Sequence, residues 1–127
     1  MDYKLESVII PVTDVDRAKA FYADKVGFHV DMDQTVNDEV RFVQMTPPGS
    51  ACSIAFGKGI TDATPGSVRG LLVVVADADA ARADLAGREL DAGTVQDLAW
   101  GRFLYFSDPD GNRWSLQQLQ PRVASQT

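Results

Sequence analysis

One cysteine, Cys52, and one histidine, His29, are all that this 127-residue chain has of either residue. A lone cysteine excludes an internal disulfide and a thiolate metal cluster, and a lone histidine excludes a multi-imidazole centre. No apolar run approaches the roughly 20 residues that cross a bilayer as a helix. Basic residues are in the minority, 12 Lys and Arg against 18 Asp and Glu, and they are scattered. A net charge of −6 without a basic cluster argues against nucleic acid, whose phosphates need grouped cations. The expectation is no nucleic-acid partner and no membrane partner. The opening MDYKLES carries acids where a secretory leader has a basic and then an apolar stretch, which points to the cytoplasm.

What the chain does have is an internal repeat. SVIIPVTDVDRAKAFY (7–22) lies over GLLVVVADADAARADL (70–85) without a gap, so Asp14 matches Asp77 and Asp16 matches Asp79 at a shift of 63. PPGSACSIAF lies over PDGNRWSLQQ, with Gly49 over Gly111 at a shift of 62. Self-similarity of this length implies a duplicated supersecondary unit. Duplication brings equivalent positions of the two copies toward a pseudo-twofold cleft, and so predicts where a site should form.

The apolar, β-branched SVIIPV (7–12) reads as a strand, followed by a helix start. Thr13 is the expected N-cap, with Asp16 in a short capping box. Val15, Ala18, Tyr22 and Val26 recur at helical spacing, and Gly27 ends the helix. Strands are expected over 28–33, 39–46 and 51–57, with turns at Val36–Asp38 and Pro47–Ser50. The second half repeats the order. LLVVV (71–75) is a strand, Asp77 caps a helix carrying Ala78, Ala81 and Leu85, and Gly87 closes it. Further strands are expected over 89–95, 100–107 and 113–118, the last two joined by Asp108-Pro109-Asp110-Gly111. Each half is β-α-β-β-β, giving one α+β domain over 1–127. Module one is 5–58, the linker 59–67, module two 68–119, and the tail 120–127 is expected to fray. Alternation leaves both faces of the first and fifth strands apolar. One face takes the helix, and the other needs cover or lines a cavity.

PVTDVDRAKAFYADKVGF (11–28), VADADAARADLAG (75–87) and above all YFSDPDGNRWSLQQ (105–118) resemble the vicinal oxygen chelate superfamily. That superfamily holds glyoxalase I, extradiol dioxygenases, fosfomycin-resistance enzymes and bleomycin-binding proteins. The resemblance implies two tandem βαβββ modules whose curved mixed sheets surround a cleft. In metal-dependent members the cleft holds a divalent ion on His and Glu side chains. The corresponding positions here are Ser7, Gly70 and Ser115, with Ser53 as the pseudo-symmetric mate of Ser115. Hydroxyls and a glycine do not replace imidazole and carboxylate. A slip of one residue does not restore the site, because alternation turns the neighbouring Glu6 and Cys52 to the other face. No metal and no cofactor are expected, metal-dependent catalysis is not expected, and no catalytic residue is singled out.

Most other candidates have plainer roles. His29, between Phe28 and Val30, reads as a rim residue. Cys52, alternating with Ile54 and Phe56, reads as a small buried hydrophobe. Asp14, Asp16, Asp77 and Asp79 stand at helix starts, where acids cap N–H groups. Trp100, Phe103 and Tyr105 on the seventh strand and Arg41 and Phe42 on the third make an aromatic and basic set. Pairing across the Asp-Pro-Asp-Gly turn sets Arg102 and Leu104 roughly opposite Gln117 and Ser115, so that these four share the cleft face. The faces of Phe103 and Tyr105 stay open. An aromatic wall with an arginine suits a planar or anionic small molecule.

The expected function is therefore metal-free binding of a small aromatic or antibiotic-like molecule in the inter-module cleft, as in the bleomycin-resistance branch. Ser7, Phe42, Ser53, Gly70, Trp100, Arg102, Leu104, Ser115 and Gln117 are the expected ligand contacts. The alternatives are an enzyme (lyase, isomerase or dioxygenase-like) using Arg102, Tyr105 or His29, and a domain acting through protein contact. A homodimer is expected, since such modules often pair between chains and two-faced apolar strands need cover.

Overall fold

The computed structural model describes residues 1–120, so the expected fraying of the tail beyond them lies outside the described residues. The chain divides into two compact units, Met1–Arg69 with Ser107–Asn112, and Gly70–Phe106 with the chain from Arg113 onward. Each unit holds a four-stranded mixed sheet with a helix on one face, which is the tandem βαβββ architecture.

The first unit runs β1 (Ser7–Ile9), α1 (Val15–Ala20), β2 (His29–Thr35), β3 (Arg41–Thr46) and β4 (Ser53–Lys58), in sheet order β1-β4-β3-β2. β1 lies parallel to β4, and the other pairs are antiparallel. The N-cap is Asp14 rather than Thr13. Its carboxylate accepts from Arg17 N at 3.0 Å, while the Thr13 hydroxyl donates to Asp110 at 2.6 Å. From Phe21 to Val26 the helix widens to a π-helix, and Gly27 ends it in the left-handed conformation at φ 84°. Val43, Met45, Ile54 and Phe56 face this helix with Tyr22 and Ala18, and all six are buried. Removing these side chains from water is the main force holding helix to sheet.

The second unit runs β5 (Leu71–Val74), α2 (Ala78–Gly87), β6 (Gln96–Leu98), β7 (Gly101–Ser107) and β8 (Arg113–Leu119), in sheet order β5-β8-β7-β6. Asp77 caps α2 as expected, accepting from Ala80 N at 3.1 Å. Ala78, Leu85, Leu104, Phe106, Trp114 and Leu116 form its core, with Phe106 and Trp114 stacked at 5.8 Å. The strand expected over 89–95 is absent, and only Gln96–Leu98 pairs with β7. The Asp91 side chain accepts from Gly93 N, and Glu89 and Gly93 both take positive φ. Those bends stop the chain from extending.

Candidate functional site

The face of each sheet turned away from its helix carries the candidate ligand contacts, some exposed and some buried. In the first unit the in-register partners Ser7 and Ser53 begin a polar row. Ser53 Oγ lies 2.6 Å from Thr46 Oγ1, and Thr46 Oγ1 donates to the Asp31 carboxylate. With its proton committed to Asp31, Thr46 accepts from Ser53. His29, paired in register with Thr46, is 77% exposed, its Nε2 3.8 Å from Asp31 Oδ1. The β-bulge between Val30 and Met32 swings Asp31 toward this row, so local pattern gave no sign of its part in it. Beyond the polar row the face carries Ile9, Ala55, Gln44 and Met32, then Phe42 beside Gly57. Cys52 is half-buried, and its thiol contacts the Ser53 carbonyl rather than a base.

Between β7 and β8, Asp108 N donates to Asn112 O at 2.9 Å, which closes the hairpin on that pair. Counting back by alternation, Phe106 meets Trp114, Tyr105 meets Ser115, and Phe103 meets Gln117. The stacked Phe106 and Trp114 rings agree with this register. It differs by one residue from the expected pairing, and a one-residue slip exchanges faces. Arg102 and Leu104 therefore lie on the helix face. Leu104 is fully buried in the core. Arg102 donates to Asp79 at the start of α2 and to Asp97 on β6, at 2.8 and 2.7 Å. Those contacts hold the Asp79 carboxyl below its ordinary range and raise the guanidinium, first through Asp79 and then through Asp97.

Phe103 and Tyr105 take the face away from the helix instead, with their rings parallel at 6.1 Å; Phe103 is buried and Tyr105 half-buried. The Arg113 guanidinium lies over the Tyr105 ring, 4.6 Å from its centre. Leu72 and Val74 stand in register beside Ser115 and Gln117, and both are exposed, at 54% and 60%. Gln117 is buried and donates to the Trp100 carbonyl at 3.0 Å. Trp100 itself is in the β6–β7 turn, 65% exposed. Gly70 precedes β5 and is not a register partner of Ser115; a Cβ there meets nothing within 4 Å.

The model of the Glyoxalase/Bleomycin resistance protein/Dioxygenase superfamily matches residues 4–116. The chain belongs to this superfamily. Among solved structures it is similar to TnmS3, an antibiotic binding protein from Streptomyces sp. CB03234. The two are 35% identical over 94% of this chain and 98% of that one, with a TM-score of 0.84. A glyoxalase/bleomycin resistance protein from the same Streptomyces is 36% identical, over 91% of this chain and 100% of that one, at a TM-score of 0.78. The uncharacterized protein YetH of Bacillus subtilis (strain 168) is 22% identical over 117 residues, 91% of this chain and 98% of that protein.

The superfamily's metal ion finds no suitable donors at the matching positions here. Ser7 and Ser53 offer neutral hydroxyls, Gly70 offers nothing, and Ser115 stands beside Leu72. Among the described residues no group of three or more His, Cys, Asp or Glu side chains is arranged to hold an ion. The donor set present does not fit the divalent site of the glyoxalase and dioxygenase members.

Proposed function

We propose that this member of the superfamily is a metal-free binding protein that sequesters a small aromatic or antibiotic-like molecule in the cytoplasm, and that it works as a homodimer. The observation that carries the reading is the open face of the second sheet. There Tyr105, stacked on the buried Phe103, and the exposed Leu72 and Val74 stand around the small Ser115. Apolar walls with few polar groups are the common make-up of small-molecule sites. The likeness to TnmS3, an antibiotic binding protein, supports the same reading. Exposed Leu72, Val74 and Leu119 on one sheet, and Ile9 and Met32 on the other, support pairing with a second copy.

The test is a thermal-shift screen of antibiotics and aromatic metabolites, read also by tryptophan quenching, on protein stripped with chelator. A true ligand at a hundredfold excess over its Kd adds about 2.7 kcal/mol of stability. Absence of a saturable shift with every compound, or a stoichiometric ion that survives stripping, counts against the proposal.

A further inference from the structure

The arginines on the two sheets differ in what they have left to offer. Arg41 is held by Asp16 and Asp33, and Arg102 by Asp79 and Asp97. Arg113 is exposed on the open face of the second sheet, and among the described residues no carboxylate lies within ion-pair range of it. Its contact is the Tyr105 ring, 4.6 Å away, and the register puts it on the far side of that ring from Phe103. Stacking uses the flat face of a guanidinium and leaves its in-plane N–H fork directed outward, where it matches a carboxylate bidentately.

The hollow next to it suits the rest of such a ligand. Ser115 stands between Leu72 on β5 and Tyr105 on β7, and neighbouring strands are about 4.8 Å apart. The two flanking side chains therefore rise about 10 Å apart over a short hydroxymethyl floor. An aromatic ring lying in that hollow would have its edge at Arg113. The chain's net charge of −6 repels anions in general, so one uncompensated cation beside an apolar hollow is a local feature and not part of a basic surface.

We infer that Arg113 is the specificity-determining residue of this face and that the ligand is a planar aromatic acid. The inference rests on the binding reading above and narrows it to an ionised class. The test compares 2-naphthoate with its neutral isostere 2-naphthamide by calorimetry at neutral pH, on the wild-type chain and on Arg113→Gln. The acid is expected to bind wild type about tenfold more tightly than the amide, with the ratio falling as salt rises. Arg113→Gln is expected to bring the ratio to about one by weakening the acid more than the amide. Equal binding of the two probes to wild type overturns the inference while sparing the binding reading, and that comparison needs no variant to fold. A preference for the acid that survives Arg113→Gln also overturns it. Failure of both probes to bind wild type overturns the aromatic binding reading and the inference together.

Discussion

Asp108 is the most heavily used acceptor in the first unit. It accepts from Tyr22 Oη at 2.7 Å, from the backbone N–H of Asp110 and Asn112, and from Asn112 Nδ2. Asn112 also donates to the Pro11 carbonyl at 2.9 Å and accepts from Val68 N. A carboxylate that is 5% exposed is tolerated only because its oxygens are met by donors. The π-helical stretch sets Tyr22 in the core with its hydroxyl on this acid. Tyr22→Phe keeps the ring packing and removes one hydrogen bond to a charged group, a loss of about 1.5–3 kcal/mol. Urea unfolding should show that loss as a lower midpoint at unchanged slope. The Asp-Pro-Asp-Gly-Asn segment is thus both the strongest sequence mark of the superfamily in this chain and a structural anchor. Its residues work on the fold.

At the scale of elements, the duplication extends to an arrangement of charge that the aligned helix starts only hinted at. Arg41 on β3 bridges Asp16 near the start of α1 and Asp33 on β2, both at 2.8 Å. Arg102 on β7 bridges Asp79 near the start of α2 and Asp97 on β6. Each module therefore clamps its helix to two strands with one arginine and two aspartates. Hydrogen bonds from Arg41 and then Lys19 hold the Asp33 carboxyl well below the usual carboxylate range. A depressed folded-state value means the stabilisation is complete above the unfolded carboxylate value of about 3.9 and is lost as pH falls toward the folded value. Arg41→Met is expected to cost about 1 kcal/mol at neutral pH, and its gap from wild type should narrow progressively below about pH 4 in urea titrations. Helix starts, turns and the repeat were legible because capping and turn chemistry are local. Asp77 caps as expected, Asp14 caps one residue later than the expected Thr13, and the Asn37 side chain accepts from Glu39 N and Val40 N in its turn. Register was not legible. Asp-Pro-Asp-Gly-Asn suits more than one hairpin closure, and the difference of one residue moved Arg102 and Leu104 to the core side and brought Phe103 and Tyr105 to the open side. Arg113 could have been noticed from its parity with Ser115 and Gln117, which depends on no pairing at all.

At the scale of the molecule, the open faces leave apolar side chains in water that a second copy could cover. Light scattering is expected to give a dimer. Val74→Asp should give a monomer of unchanged far-UV circular dichroism, because Val74 is exposed on β5 and a charge there opposes burial against a second copy without disturbing the core. A wild-type monomer at micromolar concentration counts against dimerisation. The assignment of the 107–112 turn to the first unit bears on how the chain can be made. Tyr22 and Pro11 meet partners 86 and 101 residues further along the chain. On a ribosome the earlier module emerges long before the turn that completes it, so its buried hydroxyl and carbonyl wait for nearly all of the chain. Two modules that read as copies of one another are therefore unequal in synthesis: the one translated first waits for a turn carried between the last two strands of the other.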